Sequence, residues 1–131
     1  MSSKGHLRAV ILCVDDQEAG LELRKQVLKK AGYKALIASS ARKALEIFRA
    51  NHIDLVLTEH VRPAFIGGPT LAATLKMLKP QVPVAIFSAD PSEWIEDKRF
   101  ADVFITKLVP IDELLRAIEK LLAKSHLIAA A

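Results

Sequence analysis

Five short apolar runs alternate along this chain with longer segments in which apolar residues recur every three or four positions. The runs lie at about Arg8 to Val14, Ala35 to Ala38, Ile53 to Thr58, Val84 to Phe87 and Val103 to Thr106. They lack the polar alternation of a half-exposed strand, so each reads as a strand buried on both faces. Between them the pattern predicts helices. The first spans about Gln17 to Ala31, with Leu21, Leu23, Val27, Leu28 and Ala31 on its apolar stripe and Gly32 in the position of a left-handed C-terminal cap. Ser39 or Ser40 caps a second, whose buried face is Ala41, Ala44, Leu45 and Phe48. A third opens with Pro69 in its first turn and carries Leu71, Leu75 and Leu78. A short fourth spans Pro91 to Phe100. A fifth starts near Pro110 and shows Leu114, Leu115, Ile118, Leu121 and Leu122.

Buried strands separated by helices imply an α/β fold: a doubly wound parallel sheet of five strands, with helices on both faces. Ligands then sit at the carboxyl ends of the strands. One domain over residues 8–124 is expected, with tails at 1–7 and 125–131; no linker, internal repeat or low-complexity segment interrupts it.

Composition narrows the class. The chain has 131 residues, 51% hydrophobic and 26% charged, which suits a packed domain rather than a disordered one. No apolar run approaches the roughly 20 residues of a membrane-spanning helix. The polar start, Met1 to His6, has no signal-peptide character, and the lone Cys13 falls inside an apolar strand. A cytoplasmic site and no membrane contact are expected. The formal charge is +4, and Lys25, Lys29, Lys30 and Lys34 follow one another closely. That patch raises a small basic nucleic-acid-binding domain as an alternative. A solvated helix face is the simpler reading, because no aromatic residues interleave with the lysines to stack bases.

The strand ends carry the chemistry. The first run delivers Asp15 and Asp16, the third Glu59, the fourth Ser88 and the fifth Lys107. Carboxylates, a hydroxyl and an amine are the group types that a phosphoryl-transfer site uses. His60 beside Glu59 reads as an exposed loop histidine rather than a phosphoryl carrier, and His6, His52 and His126 have no ligand spacing. Trp94 reads as packing under the fourth helix rather than as an anchor for a partner.

From about Arg8 to Leu122 the chain resembles the receiver domain of two-component response regulators. The resemblance rests on Val14-Asp15-Asp16, Asp54 to Glu59, Arg62-Pro63 followed by Gly67-Gly68, Ser88-Ala89, Ala101-Asp102 and Lys107, in that order. It implies the flavodoxin-like strand order 2-1-3-4-5. It also implies a Mg2+ site of Asp15, Asp16, the acceptor carboxylate at Glu59 and the main-chain carbonyl of Val61. Ser88 then matches the hydroxyl that grips a phosphoryl group, Lys107 its cation, and Phe104 the aromatic switch position. The implied partners are a sensor histidine kinase or a downstream effector, and a homodimer through the face of the fourth helix, fifth strand and fifth helix. The implied role is a signalling protein of a phosphorelay and not an enzyme.

Several positions depart from that family. The acceptor is normally aspartate, and one added methylene displaces the attacking oxygen by roughly 1 Å, enough to cost about a hundredfold in rate. The longer arm also crowds Mg2+, so weak Mg2+ binding is expected. Glu59 is further expected to reach toward Lys107 and to mimic a phosphorylated acid in part. Leu108 stands where proline usually follows the lysine, so a trans Lys107–Leu108 peptide is expected. Phe100 replaces a glycine, the segment from Ser88 to Lys107 is short, and the loop around Ile66 is one residue longer. The expected function is a stand-alone, atypical receiver (a pseudo-receiver) acting by protein–protein contact. The alternative within the family is a receiver that accepts phosphoryl despite Glu59. No effector domain is expected after the last helix, so output falls to a partner, a dimer or a larger parent chain.

Overall fold

The computed structural model describes residues 9–59, 70–89 and 100–130, with side chains through Ser125. Five strands, β1 (Val10–Val14), β2 (Lys34–Ala38), β3 (Leu55–Thr58), β4 (Val84–Ser88) and β5 (Val103–Thr106), form one parallel sheet in the order β2-β1-β3-β4-β5. The described helices are α1 (Glu18–Lys30), α2 (Ala41–Ala50), α3 (Leu71–Leu78) and α4 (Ile111–Ala130). The helix expected from Pro91, with Trp94, falls outside the described residues except for Phe100. So do the tail at 1–7, Arg8, His60, Val61, the loop Arg62 to Gly68 and Pro69.

Alternate side chains of each strand feed two separate cores. Ile11, Cys13, Leu55, Leu57, Ala85 and Phe87 pack with Leu21 and Leu28 of α1 and with Leu114, Ile118 and Leu122 of α4. Leu12, Val14, Val56, Val84 and Ile86 pack with Ala41, Ala44 and Phe48 of α2 and with Leu71 and Leu75 of α3. Both faces of the sheet are therefore dry, which is why the strands show no polar alternation.

The helix ends follow the local chemistry of the sequence. Gly32 has φ 100°, and the Tyr33 N–H donates to Leu28 O at 3.0 Å while Gly32 N–H donates to Lys29 O at 3.0 Å. This pair of bonds closes α1 with the αL turn that glycine permits. Ser40 Oγ accepts from Lys43 N–H at 3.1 Å at the start of α2. Thr70, not a proline-led turn, caps α3, its Oγ1 accepting from Ala73 N–H at 3.2 Å. The last carbonyls of α2 are met from α3, where Lys79 Nζ donates to Phe48 O at 2.6 Å and Asn51 O at 3.0 Å.

Three expectations change. Leu23 is 64% exposed, because it lies two positions from Leu21 and so points about 200° around α1. Leu78, the last residue of α3, is exposed as well. The final helix continues through Ala130, past Ser125, where a tail was expected to begin.

Candidate functional site

Strand register brings the polar groups to one edge of the sheet. Val14 pairs with Thr58, so Asp15 and Glu59 leave adjacent strands side by side, and Glu59 N–H donates to Val14 O at 3.0 Å. Ser88 pairs with Thr106, and Lys107 N–H donates to Ser88 O at 3.1 Å. Asp15 and Ser88 are buried, Glu59 is half-buried and Asp16 is exposed.

Asp15 is the hub. Its Oδ1 accepts from Gln17 N–H at 3.0 Å, which ties the acid to the first turn of α1 in place of a side-chain cap. Its Oδ2 accepts from Lys107 Nζ at 2.6 Å and lies 3.5 Å from Arg24 Nη2. Glu59 reaches toward Lys107 as expected, but at longer range than Asp15 does. Its Oε2 accepts from Asp16 N–H at 3.4 Å and is 3.9 Å from Lys107 Nζ. The lysine therefore makes its short bond to Asp15. The peptide after it is trans, since the described residues contain no cis bond.

These contacts separate the two acids electrostatically. Burial opposes the charge of Asp15, but the hydrogen bonds from Glu59, Lys107 and Gln17 N–H outweigh it and lower its pKa to about 2. Burial, the hydrogen bond to Asp15 and the charge of Asp15 push Glu59 up to about 8, against the pull of Lys107. Two neighbouring carboxyls that cannot both ionise cheaply split in this way. The metal-free pocket thus favours the protonated form of Glu59 at neutral pH.

One carboxylate oxygen from each of Asp15, Asp16 and Glu59 lies within 4.8 Å of the others. An oxygen-only donor set of this size, partly open to water, fits Mg2+, and these three side chains would hold it. When bound, the ion would neutralise the acids and orient phosphoryl oxygens. The Val61 carbonyl expected beside them falls outside the described residues. Phe104 on β5 is half-buried against the core on the α2 and α3 side, level with Ile86.

Arg24 was not legible as a site residue. Its side chain is only 12% exposed, it reaches Asp15, and its guanidinium lies 4.8 Å over the ring of Phe87. The available signal was its spacing from Leu21 and Leu28, three and four positions away on the buried stripe.

Relatives share this architecture. The family model described as "Response regulator receiver domain" matches residues 11–119. The chain is 35% identical over 125 residues to the transcriptional regulatory protein ZraR of Escherichia coli O157:H7, covering 92% of this chain and 28% of ZraR. It is 34% identical over 83 residues to the autoinducer 1 sensor kinase/phosphatase LuxN of Vibrio campbellii, covering 63% of this chain and 10% of LuxN. The chain thus spans less than a third of the length of these relatives. Among solved structures, it is similar to the response regulator protein TrrA of Thermotoga maritima, in complex with Mg2+-BeF. The TM-score is 0.75 at 26% identity, over 86% of this chain and 98% of that one. With the strand order, the acid cluster and the lysine at the end of β5 in place, the chain belongs to the response regulator receiver domain family.

Proposed function

We propose that this chain is an atypical receiver that signals by protein–protein contact, with Glu59 in the phosphoacceptor position and no efficient cycle of phosphorylation at that position. The observation that carries this reading is the engagement of Glu59 by Asp15 and by Asp16 N–H, with its pKa pushed up to about 8. An acceptor must attack as a carboxylate from the place an aspartate would hold, and an acid one methylene longer, engaged with Asp16 N–H, is displaced from it. Lys107, the cation for an incoming phosphoryl, is held by Asp15. Ser88 retains the place of the phosphoryl-gripping hydroxyl and Phe104 that of the switch.

The partner is a sensor histidine kinase or a downstream effector, met from a cytoplasmic site, with a second copy of the chain as a further partner through the β5 and α4 side. Among the described residues no helix is long and apolar enough to cross a membrane. Mg2+ binds weakly at Asp15, Asp16 and Glu59. TrrA in complex with Mg2+-BeF supports a cation in a pocket of this kind.

The test is incubation with Mg2+ and acetyl phosphate followed by intact-mass measurement. No stoichiometric phosphate adduct is expected. An adduct that disappears in Glu59→Gln would establish instead a receiver that accepts phosphoryl on glutamate.

A further inference from the structure

We propose that Arg24 is a positioning residue of the acid pocket, sharing Asp15 with Lys107 and thereby setting how readily the pocket admits a divalent cation. This rests on the reading of Asp15, Asp16 and Glu59 as a cation site. The inference begins in the helix pattern. Leu21, Arg24 and Leu28 are spaced three and four apart, and the two leucines are 1% and 0% exposed. A stripe position of that kind ordinarily holds an apolar residue. Here it holds a permanent cation whose side chain is 12% exposed.

Three contacts explain how the cation is tolerated and where it acts. Its Nη2 is 3.5 Å from Asp15 Oδ2, and its guanidinium carbon is 4.8 Å from the centroid of Phe87. Gly20, one turn earlier on α1, lies alongside, where even a Cβ would make only ordinary contact with Nη2, at 3.8 Å. The ring supplies a favourable face for a planar cation in a site with little water. Phe87 immediately precedes Ser88, so Arg24 links the acid from β1 to the strand that ends in the hydroxyl.

The consequence for a metal follows from the oxygen count. Asp15 Oδ1 is occupied by Gln17 N–H, and Oδ2 by Lys107 and Arg24. An ion that takes Oδ2 must displace two cations, one of which cannot deprotonate and is fixed by Phe87, and an ion that takes the remaining lone pair of Oδ1 still arrives beside both charges. The resident charge also repels the arriving dication across a poorly solvated gap. Lys107 can swing on a flexible stem; Arg24 cannot follow without leaving the ring.

The experiment is a calorimetric Mg2+ titration of the native chain and of Arg24→Met, Arg24→Gln and Arg24→Lys, each checked for folding by circular dichroism. Both neutral variants are expected to bind Mg2+ tighter by roughly threefold or more, from the removed repulsion alone. Arg24→Lys, which keeps the charge, should stay near native affinity. Equal or weaker binding by a folded neutral variant overturns the proposal. So does a lysine variant that behaves like the methionine one, since volume and not charge would then be responsible. If neither neutral variant folds, Arg24 is a scaffold residue and the proposal fails. Absence of binding by the native chain and every variant would bring down the cation site itself, whereas one unchanged affinity across the set removes only the role of Arg24.

Discussion

Lys107 and Asp15, 92 positions apart in sequence, meet at 2.6 Å between Nζ and Oδ2. Asp15 is 1% exposed at its side chain, so this bond compensates a buried charge rather than decorating a surface. Removing one partner of such a pair commonly costs about 3–5 kcal/mol, because the other charge remains buried. Arg24 at 3.5 Å softens the loss here. Lys107→Met is therefore expected to destabilise the metal-free protein by about 2 kcal/mol, less than an isolated buried pair would lose. The Asp15→Asn, Lys107→Met double variant should recover much of that deficit. Urea denaturation of the four proteins in the cycle measures it, and simple additivity of the two single losses would count against a direct pair.

Glu59 makes stability depend on pH in an unusual direction. Its folded pKa is raised to about 8 from an ordinary 4.5, chiefly by burial and by Asp15. Between those values the unfolded chain releases a proton that the folded chain keeps, so rising pH favours unfolding. The contribution is fully present below 4.5 and is lost as pH rises through 8. Asp15, lowered to about 2 from 3.8, acts in the opposite sense but only in acid, below that window. Native protein in chelator should lose at least about 1 kcal/mol relative to Glu59→Gln between pH 5 and 8. Parallel stability curves for the two proteins would show that the proton is not held.

The proposed cation site makes the length of the side chain at position 59 testable. Mg2+ demands near-octahedral geometry at short distances, which the extra methylene of glutamate makes harder to meet beside Asp15 and Asp16. Glu59→Asp is expected to bind Mg2+ roughly tenfold tighter in a calorimetric titration, the low end of what a disturbed ligand environment costs in metal affinity. Equal affinities would mean that the longer arm folds into the site at no cost.

Much of this architecture is written in the chain, and the misses share a cause. The strands were legible because both faces of the sheet are buried, leaving uninterrupted apolar runs such as Val10–Val14. Gly32 and Ser40 were legible because their roles are local, set by φ and by a hydroxyl three residues from an N–H. The acid cluster and Lys107 were legible as strand ends. What the sequence left open was which acid the lysine would choose, since Asp15 and Glu59 leave neighbouring strands and only side-chain reach separates them. Arg24 was hidden by its charge: Leu23 looked the better stripe residue, although helical geometry turns it outward. Asp54 and Asp102 were read as parts of a strand and a motif, while their carboxylates make long-range bonds that no spacing announces.

Those two aspartates carry the last prediction. Asp54 Oδ2 accepts from Val10 N–H at 2.8 Å, and Asp54 N–H donates back to Val10 O at 2.8 Å. Asp102 repeats the arrangement: its Oδ2 accepts from Val84 N–H at 2.7 Å, and its N–H donates to Val84 O at 2.8 Å. Each therefore satisfies the first N–H of a strand, β1 or β4, at the end opposite the acid pocket. Asp102 Oδ2 also lies 2.6 Å from Lys76 Nζ, which joins α3 to the entry of β5. Val84 is fully buried, so its N–H has no ready replacement in water. Asp102→Ala should cost about 2 kcal/mol, the usual penalty for stranding a buried donor, and Asp102→Asn distinctly less, because the amide oxygen still accepts. Cys13 offers the readout. Burial pushes its thiol up to about 12, helped by the charge of Asp15 and opposed by Arg24, so it reacts with a thiol reagent only when the sheet opens. Labelling at low denaturant should quicken in the order native, Asp102→Asn, Asp102→Ala. If Asp102→Ala labels no faster than native, the strand-entry bond does not hold the sheet closed, and the reciprocal pair is geometry without consequence for stability.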